Sequence, residues 1–236
     1  MYKMNVVKRL TQTKLKQLMK NNSLLNLFVI FLLFAIYLAS SWGITYVSSI
    51  QPHQYMLQLA TNKRPFLEKQ WRVAVKKMRT IVNNNPNNAQ HRYDLARLYE
   101  LAAYQKPIWN TDAIKHRNQA IKYYQQTLRL RPTWSNVWAE LAMSKTLNLE
   151  FGDEVKSALS NALTYGPWEQ GVFHKVLWVS VANWKALPIE LQAQIKNKVQ
   201  YTVNSKGQVP RYIQQTAKHF NWQDNLQEII SSKTSK

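Results

Sequence analysis

Five histidines and one pair of adjacent carboxylates are the side chains with which this sequence would carry out acid–base or metal chemistry. The histidines are dispersed and form neither a His-x-x-x-His nor an HExxH pattern, and they are His53, His91, His116, His174 and His219. Asp153 and Glu154 stand at the start of a predicted helix, where negative charge stabilises the helix dipole. We therefore predict no catalytic residue, no metal site and no cofactor.

The remaining catalytic motifs are also missing from the sequence. It contains no GxSxG, Walker or GxGxxG pattern, and its 0 cysteines exclude disulfides, thiolate metal sites and cysteine nucleophiles. No particular serine is marked as a nucleophile, although a serine nucleophile is not excluded. Binding is therefore favoured over catalysis, and a periplasmic enzyme that acts on glycans is the less favoured alternative.

Four cations follow a helical spacing and form what we call the cationic stripe. They lie at i, i+3, i+7 and i+10, opposite the apolar face of a predicted helix, and they are Lys69, Arg72, Lys76 and Arg79. Such a stripe is suited to a polyanion, either an acidic polysaccharide or anionic lipid headgroups. The alternative is the solvated face of an ordinary amphipathic helix.

A long uncharged segment lies near the N-terminus of a chain whose net charge is +20. No charged residue occurs between Lys20 and Lys63, and residues 24–38 are apolar apart from Asn26. With residues 39–47 the segment exceeds the roughly 20 residues that a helix needs to cross a bilayer. We predict a membrane anchor over residues 24–48. A cleaved signal peptide is the alternative, but the basic region ahead of it is long for one.

The charges that flank this anchor predict its orientation. Six cations and no acidic residue precede it, namely Lys3, Lys8, Arg9, Lys14, Lys16 and Lys20. The positive-inside rule then places a basic tail, residues 1–23, in the cytoplasm and the rest of the chain in the periplasm. A cysteine-free exported domain suggests the bacterial inner membrane. Nucleic acid is not expected as a partner on the far side of that membrane.

Three prolines mark an internal repeat of helical pattern. The prolines are Pro86, Pro132 and Pro167, and the same pattern surrounds each of them. One helical face is formed before each proline by the residues 12, 8 and 5 positions earlier. A second face is formed after it by the residues 6, 9, 10 and 13 positions later. The first set is Ala74, Met78, Ile81, Ala120, Tyr124, Thr127, Val155, Leu159 and Ala162. The second set is Arg92, Leu95, Ala96, Tyr99, Trp138, Leu141, Ala142, Lys145, Phe173, Val176, Leu177 and Ser180.

This pattern resembles the tetratricopeptide repeat, in which a small residue lets two antiparallel helices approach closely. Arg92, Lys145 and Leu177 depart from the family pattern, and Trp138 is predicted to pack between repeats. The resemblance implies an all-α fold, with a right-handed stack of antiparallel helix pairs after the single transmembrane helix. An insertion at residues 105–118 is predicted to be an extended loop.

These predictions divide the chain into segments. A linker is expected over residues 49–63, tetratricopeptide-like repeats over 64–205, and capping helices with a tail over 206–236. The predicted helices are 64–82, then the pairs 89–104 with 112–130, 135–149 with 153–164 and 169–184 with 189–203, and two short helices within 209–231.

The family resemblance also implies a concave partner-binding face, formed by the first helix of each pair. The residues at the corresponding positions, which we call the inner-face set, are Gln90, Tyr93, Arg97, Asn136, Ala139 and Met143. They are polar and adaptable, as expected for recognition of protein segments.

A second, narrower resemblance lies in residues 131–142, in Gly166-Pro167-Trp168 and in the Leu187-Pro188 step. Together with the anchor, these look like the VpsP-type proteins of exopolysaccharide biosynthesis loci. The resemblance implies a membrane-anchored scaffold that assists assembly or export of a surface polysaccharide and contacts other envelope proteins. The alternative within the same class is an adaptor for another envelope process, such as cytochrome maturation or secretion.

Overall fold

The structure, a computed structural model, describes residues 2–206 and 209–231, with side chains from residue 25 onward apart from 41, 42 and 206. All regular structure in this part of the chain is helical. The chain divides into two compact units, Met1–Ile50 and Gln51–Lys236. The tail predicted after residue 231 and the side chains of the basic N-terminal region lie outside what is described.

The first unit is formed by helix α1, which covers Tyr2–Ala60 and extends into the second unit. By length and composition, the segment Leu25–Ala60 is sufficient to cross a membrane. Large apolar side chains such as Leu27, Phe31 and Phe34 are 62%, 63% and 58% exposed. This surface is consistent with the single span predicted over residues 24–48, because exposing apolar side chains costs little free energy in the hydrocarbon of a bilayer. The orientation of the span stays a prediction.

The predicted linker at residues 49–63 differs from the structure, because α1 continues to Ala60. Tyr55, Met56 and Leu59 are buried in the core of the second unit. Their i, i+1 and i+4 spacing puts them on one helical face, so this segment belongs to the folded domain.

The second unit continues with nine further α-helices among the described residues. They are α2 Glu68–Asn84, α3 Ala89–Ala103, α4 Thr111–Leu130, α5 Ser135–Leu147, α6 Asp153–Tyr165, α7 Gln170–Ala182, α8 Ile189–Lys206, α9 Arg211–His219 and α10 Gln223–Ser231, with a 3₁₀ turn at Trp184–Ala186. Helix α3 packs most extensively against α4, α5 packs against α6, and α5 also contacts α7. Each predicted helix is present, with ends displaced by a few residues.

The three proline turns have the same structure. Helices α2, α4 and α6 each end two residues before the proline, and the next helix begins three residues after it. The residue before each proline donates its N–H to the carbonyl four residues earlier, at 2.9, 2.9 and 3.0 Å for Asn85, Arg131 and Gly166. The second residue after each proline closes an i to i−3 bond in all three turns. The repeat read from the sequence is therefore a repeat of local structure.

Gly166 takes the place that Asn85 and Arg131 occupy in the other two turns. A Cβ atom at this position would lie only 2.5 Å from the Cβ of Ser135. The Ser135 hydroxyl is itself held by a 2.7 Å hydrogen bond to Glu169. The close approach of two helix ends explains why this turn requires glycine.

The predicted core register is confirmed by burial. All nine residues assigned to the face before the prolines are buried, and so are most of those assigned after them. Arg92, Trp138 and Lys145 are the half-buried exceptions. Trp138, which the sequence predicts to be packed between repeats, keeps part of its ring in solvent.

Arg92 and Trp138 occupy equivalent positions in two repeats, and each donates a hydrogen bond to the carbonyl of the preceding repeat proline. This common hydrogen bond explains why an arginine can stand where the family pattern has a large apolar residue. Arg92 Nε donates to the carbonyl of Pro86 at 2.8 Å, and Trp138 Nε1 donates to that of Pro132 at 2.7 Å. Phe173, at the same position of the third repeat, has no donor, and Lys198 of α8 donates to the carbonyl of Pro167 instead. Each proline carbonyl thus has a side-chain partner.

The insertion at residues 105–118 does not form the extended loop that we predict from the sequence. Helix α4 already begins at Thr111, so only residues 104–110 connect it to α3. Arg117 on this first part of α4 is 1% exposed and donates to Asn148 at 2.6 Å. The extra residues lengthen a helix because they supply buried contacts.

Candidate binding surfaces

All six residues of the inner-face set lie on α3 and α5, and they make contacts within the chain. Asn136 Nδ2 donates to the hydroxyl of Tyr93 at 2.9 Å, and Gln90 donates to Asp94 at 2.8 Å. Ala139 is fully buried, and Met143 is packed against the core. The structure brings these residues together in space, but it leaves few of their polar atoms free.

Arg97 of the same set belongs to a buried charge network that the sequence does not predict. Its guanidinium contacts the carboxylate of Glu100 and lies 3.0 Å from that of Glu140. Lys175 of α7 lies 2.9 Å from Glu140 and donates to Asn136 at 2.7 Å. The network joins α3, α5 and α7, so these groups serve the packing of three helices.

Glu100 is the most enclosed member of this network, with 0% of its surface exposed. Its carboxylate accepts hydrogen bonds from Tyr124 at 2.8 Å, Ser144 at 3.0 Å and Tyr104 at 3.2 Å. Burial, together with the nearby charge of Glu140, raises the pKa of Glu100, while Arg97 opposes the shift. Burial also raises the pKa of Tyr93 to about 12.

The raised pKa of Glu100 predicts how the Glu100→Gln substitution depends on pH. A carboxyl whose pKa is higher in the folded state contributes stability below its unfolded value, 4.5, and loses it as pH rises through the folded pKa. Glutamine resembles the protonated acid, so the stability advantage of the parent over Glu100→Gln should be greatest below pH 4.5 and should shrink as the pH rises above it. Chemical unfolding of both proteins at a series of pH values on either side of this point measures it. An advantage that grows with pH contradicts the assignment.

His53 and Asp94, 41 residues apart in sequence, form a further contact that is partly buried. The imidazole Nδ1 lies 2.7 Å from the carboxylate, and Asp94 is 1% exposed. Burial is the main cause of the raised pKa of Asp94. No spacing rule connects these two residues, since the pairing depends on how α1 ends beside α3.

Three residues of the cationic stripe line a groove of about 860 Å³, which we call the basic groove. Arg72, Lys76 and Arg79 form the α2 wall. Lys106, Lys115 and His116 come from α4 and the loop before it. Lys69, the fourth stripe residue, lies in a separate depression with Arg64 and Lys77. The second wall of the groove was not predicted.

The basic groove keeps a surplus of positive charge. Five lysines and arginines line it against two acidic residues, Glu68 and Asp112. Glu68 pairs with Arg72 at 2.7 Å, and Asp112 pairs with Lys106 at 2.7 Å. Lys76 has no acidic partner among the residues that the structure describes. The surplus of three charges faces solvent, where it attracts anions.

Aromatic rings form the rigid floor of the basic groove. Trp71 lies with its ring centroid 4.9 Å from that of His116 and 6.0 Å from that of Tyr99. Its Nε1 donates to the carbonyl of Leu98 at 2.7 Å. Arg79 lies over the Tyr99 ring at 5.5 Å. The floor fixes the distance between the two cationic walls.

The part of the chain that the structure describes contains no cluster suited to a metal ion, and the chain matches no known family. In the described ranges, no group of three or more histidines, cysteines or acidic residues is arranged to hold a metal ion. No model of a known protein family matches the chain, and no curated protein matches it significantly. A function for this chain must therefore be argued from its surfaces.

Proposed function

We propose that this protein is a single-pass scaffold of the bacterial inner membrane that holds an acidic polysaccharide during its assembly or export. The observation that carries the proposal is the basic groove, whose two walls present five cations against two paired acids. A membrane anchor and a polymer-binding domain on one chain would keep the growing polymer near the machinery that makes it.

The fold that we propose for the second unit is a right-handed stack of antiparallel, tetratricopeptide-like helix pairs. Three identical proline turns, the repeated burial pattern and the packing of α3 on α4 and α5 on α6 support it. The contact between α5 and α7 is what stacked first helices would make. Repeats of this kind commonly serve as scaffolds for other proteins.

The proposed location is supported by the N-terminal segment. Six cations before an uncharged apolar helix favour a cytoplasmic N-terminus and a periplasmic domain. A polyanion available in that compartment is an acidic polysaccharide, whereas nucleic acid is not expected there. Other envelope proteins would be the partners of the scaffold.

An acidic polymer suits the basic groove better than a membrane surface does. The groove is an open depression of about 860 Å³ between α2 and α4, and a flexible chain can fill it better than a flat layer of headgroups can. A narrow flexible chain can enter it and meet Lys76 on one wall and Lys115 on the other. Charge on both sides of a chain also fixes its position within the groove.

The inner-face set gives less support to partner capture than the sequence suggests. Tyr93, Arg97 and Asn136 are engaged with one another or with Glu140 and Lys175. Binding of a protein partner by this face would have to compete with those contacts. It stays a prediction, and the proposal does not depend on it.

The basic groove is tested by the double substitution Lys76→Gln/Lys115→Gln in the full-length protein, held in nanodiscs of zwitterionic lipid. Both side chains are exposed, so the variant should fold normally. Loss of two cations, at about 1 kcal/mol each near a polyanion, should weaken binding of polygalacturonate by at least about tenfold. Binding by the parent should also weaken steeply with added salt. Calorimetric titration measures both effects.

The matched control is Lys185→Gln/Lys218→Gln, which removes two exposed cations outside the basic groove. It should bind polygalacturonate nearly as the parent does. Equal losses in both double variants would mean that net charge, rather than the groove, attracts the polymer. If the groove variant loses binding to phosphatidylglycerol vesicles but keeps polygalacturonate, the groove serves lipid and the proposal is wrong.

A further inference from the structure

A second exposed surface lies far along the chain from the basic groove and carries a different chemistry. Trp168, in the turn before α7, is 70% exposed, and Tyr201 on α8 is 55% exposed. Their ring centroids are 5.4 Å apart at an angle of 61°. We call these two rings the aromatic platform. Because the two rings are adjacent, they form a contiguous apolar patch, which is a feature of binding surfaces.

Lys198 holds the aromatic platform in place. Its ammonium group lies 4.4 Å from the centroid of the Trp168 ring and 5.6 Å from that of Tyr201. The same group donates a hydrogen bond to the carbonyl of Pro167. Because Lys198 is occupied by these contacts, the rings are fixed before any ligand arrives.

Depressions lie on both sides of Trp168. One has a volume of about 440 Å³ and includes Thr164, Gln194 and Asn197. The other, of about 120 Å³, includes Gln170 and Ser205. The larger volume is in the range of pockets that hold small organic ligands.

Two uncharged polar side chains lie beside the rings, whereas Glu169, which lines the smaller depression, already accepts a hydrogen bond from Ser135. The side chains of Gln194 and Asn197 are exposed and have no hydrogen-bond partner among the described residues. They lie three residues apart on α8, about 4.5 Å along the helix axis. Each amide offers two donor hydrogens and an acceptor oxygen. The spacing suits adjacent hydroxyl groups on a small ring.

We infer that the aromatic platform binds an uncharged sugar ring of a glycan chain. The apolar C–H face of a pyranose packs on the Trp168 ring, and the amides of Gln194 and Asn197 bind its hydroxyl groups. The amides of Gln194 and Asn197 lie beside apolar lining residues such as Leu163, so the site combines a stacking surface with hydrogen-bonding groups, as binding of a sugar requires. The two depressions accommodate the chain on either side of the stacked ring.

This inference adds a site for neutral sugar units to the proposed function. It rests on the proposed function in one respect, namely that the ligand is a polysaccharide. The basic groove is tested with an acidic polymer and by its salt dependence. The aromatic platform is tested with neutral sugars, whose binding should depend little on salt. Each can fail without the other.

The experiment titrates the full-length protein in nanodiscs with neutral hexasaccharides of glucose, mannose, galactose and N-acetylglucosamine. We expect at least one to bind, and Trp168→Ala to weaken its binding at least about tenfold, since stacking is lost. Asn197→Ala should weaken it severalfold while the rings remain. Trp109→Ala is the matched control, because Trp109 is 78% exposed elsewhere on the surface. Lys76→Gln/Lys115→Gln should bind like the parent.

Three results would overturn the inference. One is failure of all four hexasaccharides to bind the parent protein. Another is an equal effect of Trp168→Ala and Trp109→Ala. The third is a change in sedimentation of Trp168→Ala together with unchanged hexasaccharide binding, which would make the rings a self-association surface. Retained polygalacturonate binding in Trp168→Ala would leave the proposed function standing in each case.

Discussion

Replacing Glu100 by alanine is expected to lower the free energy of unfolding by about 3–5 kcal/mol. The carboxylate is fully buried and accepts hydrogen bonds from Tyr124, Ser144 and Tyr104. Its removal leaves these hydroxyls without their acceptor and leaves Arg97 with Glu140 as its one remaining carboxylate in the network. The shortened side chain also leaves a cavity among three helices. Denaturant unfolding, followed by tryptophan fluorescence, measures the loss.

Glu150→Ala is the control for this substitution. Glu150 likewise pairs with a cationic side chain, that of Lys145 at 2.8 Å, but the Glu150 side chain is 49% exposed. An exposed pair contributes less than about 1 kcal/mol, and Lys145 retains Glu154 at 3.0 Å. If both glutamates prove equally dispensable, the buried network does not stabilise the fold.

Phe173→Ala is the second substitution with a large expected effect, about 3–5 kcal/mol. The ring is 2% exposed and lies among the buried residues of α7. Truncation removes most of a buried aromatic side chain and leaves a cavity that the packed helices cannot fill. The midpoint of denaturant unfolding should fall, while the slope of the transition stays unchanged.

Trp138→Ala is the comparison, because Trp138 holds the same repeat position as Phe173. From the sequence alone the two rings are equivalent, and both are expected in the core. In the structure the Trp138 ring is half-buried and donates to the Pro132 carbonyl. Its removal should cost less, about 1–2 kcal/mol. A larger loss for Trp138→Ala than for Phe173→Ala would refute the burial difference.

The helices of the second unit could be predicted well from the sequence. A proline stops a helix shortly before it, and apolar residues at helical spacing mark the buried face, so both signals are local. Pro86, Pro132 and Pro167 therefore gave the positions of three turns. The burial of Ala74, Tyr124 and Leu159 followed from the same spacing.

The polar contacts between helices could not be predicted in this way. Arg97 and Asn136 have the spacing of an open binding face, yet each is paired with a residue about 40 positions away, Glu140 and Lys175 respectively. Such pairs depend on which helices become neighbours in space. For the same reason the sequence revealed the α2 wall of the basic groove but not Lys106 and Lys115 opposite it.

The turn at Pro167 differs from the other two proline turns, because it depends on a residue that lies far along the chain. Its carbonyl is satisfied by a lysine 31 residues later, whereas the first two carbonyls are satisfied only six residues away. Fraying of the C-terminal end as far as Lys198 would strip this turn of its donor and release Trp168 and Tyr201 from each other. The first two turns would be untouched. The aromatic platform therefore depends on the integrity of α8, whereas the first two proline turns are completed within their own helix starts.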